Sequence, residues 1–331
     1  MSGLATEVDQ VVEELRLADK LLLTTHESPD GDALGSLRAM QWVLEQLGKD
    51  SLMYMSPDEF PLPHEYRHMD FEGTLGAPPG DMDERVVVFL DCGNIDRMPM
   101  EFLQGEGVHI LNIDHHHDNT RFGTVNLVAP EASCTAEIVF GLAHDLGARI
   151  TPQIADALYV GLVTDTGRFM YESTSPEAHR MAAELIEAGV DPQLLFRRLF
   201  EDLPLQRLAL LARALTGVSR YEGGAITLTM LTRRDFEETG ARENDSEGIV
   251  DHIRAVEGTA VAVLVRELLC DERRNQRKVS LRGTDGSVDV SRIARALGGG
   301  GHRRAAGFTT ELGPDELVAA IREHVADQPP S

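Results

Sequence analysis

An α/β chain, with a parallel sheet in its first part and a smaller α+β domain after it, is the fold class this sequence predicts. Three observations predict it. Short β-type apolar runs alternate with helix-period segments through the first half, the pattern of strands separated by helices in a parallel sheet. From about Ser175 to Gly217 the pattern is helical with no strand run inside it, and from Val218 strand runs return. The length of 331 residues fits about two domains at the usual ~150 residues each.

Taken in order, KLLLTT (20–25) reads as a strand and ALGSLRAMQWVLEQLG (33–48) as a helix. VVVFLD (86–91) and VHILNID (108–114) are further strands, and TAEIVFGLAHDLG (135–147) is a helix. The helical stretches 175–189 and 191–215 form a connector, after which GVSRY, AITLTML, TAVAVLVREL and KVSLRG return as strands. The first pair of these is joined by the turn signal Gly223-Gly224. The expected division is a first domain at 1–190, a helical connector at 191–216 and a second domain at 217–327, with a frayed DQPPS end.

Hydrophobic residues make up 42% and charged residues 26%, which excludes a disordered or collagenous chain. No apolar run approaches the ~18 to 20 residues of a membrane span, and MSGLATEVDQ lacks the features of a signal peptide. Cys92, Cys134 and Cys270 form neither a C-x-x-C pair nor a disulfide framework. A cytoplasmic protein without membrane partners is expected. Against 31 Lys+Arg stand 55 Asp+Glu, a formal charge of -24, so long duplex nucleic acid is repelled over most of the surface. Only Lys20, Lys49 and Lys278 are lysines, as a GC-rich genome or a high-salt habitat would produce.

In parallel sheets the loops leaving the carboxyl ends of strands carry the site. Three such loops here open with polar clusters: THESPDGDALG, DCGNIDR and DHHHDN. His26, Asp30 and Asp32 place two carboxylates around a glycine, with an imidazole upstream. A divalent cation relieves their repulsion, and nitrogen plus oxygen donors suit manganese, iron, cobalt or zinc better than calcium. A turn whose side chains merely cap the next helix is the alternative. Asp91 and Asp165, each after an apolar stretch, are ambiguous singly. Asp114, His115 and His116 are less so, since neighbouring imidazoles after a buried strand have little structural use. Together these groups suffice for two metals sharing a carboxylate.

In the second domain four glycines, Gly298 to Gly301, precede His302, Arg303 and Arg304. Converging backbone N–H groups beside cations make an anion site, and a flexible hinge is the alternative. Arg282, in VSLRG, is either a phosphate or base clamp or a salt-bridged surface residue.

These segments resemble, over nearly the whole chain and in order, the DHH phosphoesterases with a DHHA1 C-terminal domain, in particular the nanoRNase/pAp phosphatase group. The resemblance makes 1–190 the catalytic metal-binding domain and 217–327 the substrate-binding domain, with the active site in the cleft between them. It implies two Mn2+ per chain, one held by His26, Asp30 and Asp91 and a second by Asp32, Asp91, His115 and Asp165. Asp91 then bridges, His116 faces the substrate phosphate and Asp114 orients the histidines as part of the catalytic set. Arg282, Gly299, Gly300, Gly301, His302 and Arg303 hold the nucleotide. His117, a third histidine in the row, receives no role.

The expected activity is a manganese-dependent hydrolysis of short oligoribonucleotides and of 3'-phosphoadenosine 5'-phosphate (pAp), with linear or cyclic dinucleotides as further candidates, by two-metal-activated hydroxide attack. A homodimer is expected from the resemblance. The alternatives are a non-catalytic sensor of a nucleotide second messenger and a family II inorganic pyrophosphatase, whose C-terminal domain carries a lysine-containing signature that this chain lacks. A long-strand exonuclease is disfavoured by the acidity.

Overall fold

The structure, a computed structural model, describes residues 2–98, 100–105, 107–270, 273–284, 286–301 and 303–326. The chain divides into two compact units, 1–202 and 203–331.

The first unit runs α1 (Ser2–Leu17), β1 (Lys20–Thr24), α2 (Gly31–Gln46), β2 (Asp50–Met53), β3 (Val86–Leu90), α3 (Glu101–Gln104), β4 (Ile110–Asp114) and β5 (Val125–Val128). Four longer helices follow: α4 (Thr135–Asp145), α5 (Pro152–Asp165), α6 (Pro176–Glu187) and α7 (Pro192–Phe200). Its five strands are all parallel, in the order β2-β1-β3-β4-β5. Sequential order reverses between β1 and β3, which makes the crevice beyond their carboxyl ends the topological switch point where open α/β sheets bind ligands. Leu21 to Leu23 and Val87 to Leu90 are fully buried, so these strands fix the loops that follow them.

The strands and helices read from apolar runs are all present. Sequence patterning did not single out β2 or β5, each of four residues. Both are edge strands, too short to build a periodic signal. The apolar stretch before Asp165 is α5, with Pro152 in its first turn and the Thr151 side chain accepting from the Ile154 N–H.

The second unit comprises α8 (Leu205–Thr216), β6 (Ser219–Tyr221), β7 (Ile226–Leu231), α9 (Arg233–Thr239), α10 (Ile249–Arg254), β8 (Val261–Glu267), β9 (Arg277–Gly283), α11 (Val290–Ala296), β10 (Gly300–Gly301), β11 (Ala305–Thr310) and α12 (Pro314–Ala326). Its sheet is mixed, in the order β10-β11-β9-β8-β7-β6. Only the β7–β8 pair is parallel, because α9 and α10 intervene and carry the chain back. The segment read as a connector, 191–216, holds α7 and α8 and falls on both sides of the division between units.

One packing contact positions the site in the first unit. Helices α2 and α5 approach so closely that a Cβ on Gly35 would stand 2.4 Å from the Ala157 carbonyl oxygen, and one on Gly161 would stand 2.8 Å from Asp32 Oδ1. Neither position tolerates a side chain, and the close approach brings Asp32 on α2 beside α5, which ends in Asp165.

Two glycine-to-alanine substitutions separate packing from propensity. Gly141, in α4, has no atom within 4 Å of an added Cβ, so Gly141→Ala should stabilise by about 0.5 to 1 kcal/mol through helix propensity. Gly35→Ala should destabilise by about 1 to 3 kcal/mol, since overpacking against backbone outweighs the same propensity gain. Urea unfolding of the two variants checks the opposite signs. A stabilised Gly35→Ala would mean that the α2–α5 contact is not tight.

Candidate metal centre

β3 pairs in parallel with both β1 and β4, so the loops leaving the three carboxyl ends lie side by side. His26 follows β1, Asp91 directly follows β3, and Asp114 ends β4 with His115 and His116 next in the chain. Asp30 and Asp32 open α2, and Asp165 is the last residue of α5. His26, Asp32, Asp91, Asp114 and His116 are buried.

Ligand atoms of these residues fall into three overlapping groups, each within 4.8 Å: His26, Asp30 and Asp91; Asp32, His115 and Asp165; and Asp91, His115 and His116. His115 Nε2 stands 3.5 Å from Asp165 Oδ2, 3.7 Å from Asp91 Oδ1 and 4.0 Å from Asp32 Oδ2. His26 Nε2 lies 3.8 Å from Asp91 Oδ2. The two Asp91 oxygens thus face different imidazoles.

Local structure explains why each carboxylate stays in place. Asp30 is the N-cap of α2, its Oδ1 accepting from the N–H groups of Asp32 (3.0 Å) and Ala33 (3.1 Å). The capping reading of this motif is therefore true of Asp30, and the same carboxylate also reaches the donor cluster. Asp32 sits at the N-terminus of α4, where Oδ2 accepts from Thr135 N–H at 2.6 Å and Oδ1 from Ala136 N–H at 2.9 Å. Unpaired amides and the helix dipole favour a negative charge there. Asp91 has φ 58°, a left-handed conformation that costs a non-glycine residue about 1 to 3 kcal/mol and that clusters at functional sites. Its Oδ1 accepts from the Thr135 hydroxyl at 3.0 Å.

Asp114 is fully buried and works through its neighbours. Its Oδ1 lies 2.7 Å from His116 Nδ1 and accepts from His115 N–H, while Oδ2 accepts from the Asn119 side-chain amide. Holding Nδ1 fixes the His116 ring and commits Nε2 to whatever the ring meets in the site.

Charge is unevenly shared across the cluster. Burial pushes the Asp32 carboxyl well above its ordinary range, reinforced by Asp91 and Asp165. Asp165 keeps 29% of its side-chain surface exposed, yet enclosure by the protein, with repulsion from Asp30 and Asp91, lifts it to about 7 against the pull of His115. Burial works the same way on Asp91, but His26, His116 and His115 overcome it and hold that carboxyl below its usual range. Burial would lower His115, and the Asp165, Asp91 and Asp32 carboxylates outweigh it, pushing the imidazole up to about 9. His116 is raised as well, burial being overcome by Asp114 and Asp91. Carboxylates that resist ionisation together, an imidazole that holds a proton to balance them and mixed nitrogen and oxygen donors form a set that a divalent transition metal fits.

Two contacts in this region escaped the sequence. Thr135 donates its backbone N–H to Asp32 and its hydroxyl to Asp91, joining two carboxylates that are remote in sequence. Its only sequence signal is the place after Cys134 at the start of a helix. Arg97, in the loop after β3, brings an Nη to 3.0 Å from His26 Nδ1. The His117 side chain is exposed and belongs to none of the three donor groups. Cys92 and Cys134 are buried, as read, and Cys270 is exposed.

In the second unit Arg282, on β9, is opposite Ala305 of β11, whose other neighbour is the two-residue strand Gly300–Gly301. Arg282 Nε lies 3.4 Å from Asp251 Oδ1, so the salt-bridge reading of this residue describes the structure. The glycine run is not a loose hinge: a Cβ on Gly299 would stand 2.1 Å from the Gly307 carbonyl oxygen, and Gly301 has φ 132°. Arg303 is exposed and donates to the Gly286 carbonyl. His302 lies outside the described residues.

Comparison with known proteins agrees with this architecture. Residues 20–162 match the DHH family, N-terminal domain, and residues 223–328 match the DHHA1 domain. The chain is 36% identical to the bifunctional oligoribonuclease and PAP phosphatase NrnA of Thermus thermophilus, over 96% of this chain and 94% of that protein. It is 26% identical to the protein of the same name from Bacillus subtilis, over 90% and 91% of the two chains. Among solved structures it resembles an exopolyphosphatase-related protein from Bacteroides fragilis, with a TM-score of 0.85 and 25% identity over 97% and 96% of the chains. With both domains matched in order and a relative this similar along its full length, the chain belongs to the DHH phosphoesterase family, its DHH domain followed by a DHHA1 domain.

Proposed function

We propose that this protein is a manganese-dependent phosphohydrolase of short oligoribonucleotides and pAp, with linear or cyclic dinucleotides within the same substrate class. The observation that carries the reading is the pair of donor groups, His26–Asp30–Asp91 and Asp32–His115–Asp165, with Asp91 within reach of both His26 and His115. The former would hold one cation and the latter, with Asp91, a second. Two divalent cations supply water activation at neutral pH and stabilise charge on the transferring phosphoryl oxygens.

The chain's own residues do the rest. Asp91 presents one oxygen toward each group, so its carboxylate serves both. Asp114 holds His116 by Nδ1, and the raised affinity of His116 for a proton suits Nε2 to meet a phosphate oxygen as a donor. In the second domain Arg282, His302, Arg303 and the Gly299 to Gly301 backbone select the nucleotide. A homodimer in the cytoplasm completes the proposal, and among the described residues no helix is long and apolar enough to cross a membrane.

The direct test is phosphate release from pAp and cleavage of 5'-labelled RNA of two, three, five and about twenty-four nucleotides, with manganese and with chelator. Activity should vanish with chelator. Efficiency should fall steeply beyond roughly five nucleotides, because each added phosphate meets an acidic surface, and moderate salt should shrink the penalty by screening. Undiminished cleavage of the longest RNA would point to a long-strand exonuclease.

Asp91→Asn should empty both cation positions together, read by metal content, with an activity loss larger than the roughly 10- to 100-fold expected when an outer partner is removed. Thr135→Val removes such an outer partner and should fall inside that range. Full metal content in an active Asp91→Asn enzyme would overturn the shared carboxylate.

Metal binding should also release protons. Ligation needs His115 neutral and Asp32 and Asp165 ionised, whereas the surrounding carboxylates push His115 up to about 9, and enclosure lifts Asp165 to about 7 and Asp32 well above its ordinary range. At pH 7.5 His115 therefore gives up about one proton on manganese binding, and Asp165 adds a second as pH falls below 7. Affinity should rise by at least about tenfold per pH unit between 7 and 9, Asp32 adding to the slope wherever it holds a proton, and more steeply below 7. Calorimetry in two buffers of different ionisation enthalpy measures the release, and pH-independent affinity would remove His115 from the ligand set.

A further inference from the structure

A guanidinium group stands at the edge of the donor cluster with no acidic partner among the described residues. Arg97 ends the short turn Ile95–Arg97, which Asn94 caps through the Asp96 N–H. Its backbone is tied down: the carbonyl accepts from Glu27 N–H at 2.8 Å, and the Gln104 amide donates to the carbonyls of Ile95 and Met98 on either side. The side chain is exposed, and among the described residues it makes no ion pair.

The group it touches cannot serve it and a metal together. His26 Nδ1 has two neighbours, the Glu27 carbonyl at 2.8 Å, which needs a proton from the ring, and Arg97 Nη2 at 3.0 Å, which needs a lone pair. A neutral imidazole carries one proton. With Nε2 giving its lone pair to a cation, that proton resides on Nδ1 and goes to the carbonyl. Arg97 is then a charged donor of five N–H groups, its backbone held by the Glu27 bond, with no acceptor on the ring. In a chain of net charge -24, an arginine whose backbone is held beside the donor cluster and which has no ion pair among the described residues has a substrate anion as its natural acceptor. The imidazole ring separates it from Nε2, so that anion is a neighbour of the reacting phosphate and not that phosphate itself.

We infer that Arg97 binds a second phosphate group of the substrate, adjacent to the one hydrolysed, and so favours 3',5'-bisphosphorylated nucleosides and 5'-phosphorylated dinucleotides over substrates with a single phosphate. The inference rests on the phosphohydrolase reading above. The test compares wild type, Arg97→Met and Arg97→Lys on pAp, which carries two phosphates, and on bis(p-nitrophenyl) phosphate, which carries one, with manganese affinity measured by calorimetry. For Arg97→Met the KM for pAp should rise about 10- to 100-fold, the loss of a charge-assisted contact, with kcat within about threefold. The single-phosphate substrate and the manganese affinity should each change by no more than about twofold. Lysine, a point charge in place of a fork, should recover part of the KM.

An unchanged KM for pAp in an active enzyme overturns the assignment of Arg97. Equal losses on both substrates overturn it too, as does manganese affinity falling in step with activity, which would make Arg97 a positioning residue for His26. A wild-type protein that hydrolyses neither pAp nor short RNA overturns the phosphohydrolase reading itself and this inference with it.

Discussion

A buried carboxylate pinned to a helix N-terminus is the constraint on which the first domain's architecture depends. Asp32 is enclosed, close to Asp91 and Asp165, and would be costly to ionise by itself. The N–H groups of Thr135 and Ala136 donate to its two oxygens, which fixes α4 against the start of α2. Gly161 gives it room on α5, and Gly35 lets the two helices meet. The helices that cover the sheet are thereby aligned on one carboxylate, and the loop ends of β1, β3 and β4 bring the other donors to it. Site and fold are therefore one design problem: the close packing that stabilises the helices also crowds the acids.

The crowding has a further cost at Asp91. Its left-handed φ and its contact with Thr135 hold its two oxygens toward different imidazoles. Strain of that kind persists only where surrounding structure over-determines it. Here Val87 to Leu90 of β3 are fully buried, and the Asp91 N–H is bonded to the Ile113 carbonyl of β4, so the residue cannot relax without disturbing two adjacent strands. The carboxylate is presented from the middle strand of the sheet, which suits a group common to two donor sets.

Much of this was legible in the sequence because strand-end loops announce themselves. Apolar runs of five or six residues followed by His, Asp and Gly located His26, Asp30, Asp32, Asp91, Asp114, His115 and His116, and the parallel register that brings those loops together follows from the alternation of strands and helices. What was not legible depends on contacts between elements. Thr135 looks like an ordinary helix start until α4 is placed over α2. Arg97 looks like an ordinary loop cation until the Glu27–Arg97 backbone bond sets it beside His26. β2 and β5 are too short to be periodic. Asp30 shows why cap and ligand readings of one motif could not be separated in advance: its carboxylate has oxygen enough for both.

The overall acidity and the local cations pull in opposite directions, and their ranges differ. At physiological salt a charge is screened over about 8 Å, so on the proposed reading the net negative surface would act on those parts of a substrate that lie outside the site, while Arg97 and cations held by the donor cluster would act within a few ångströms. A substrate whose phosphates all fall within that short range would meet the bound cations and Arg97 before it met the acidic surface. One that extends beyond is attracted at one end and repelled along its length, at a cost that grows with each phosphate. On that reading neither domain would need a steric wall to exclude long chains. On the proposed reading length discrimination would emerge from placing cations at the donor cluster of a chain of net charge -24, which is also why Arg97, without an ion pair among the described residues, carries more weight in this chain than it would in a basic one.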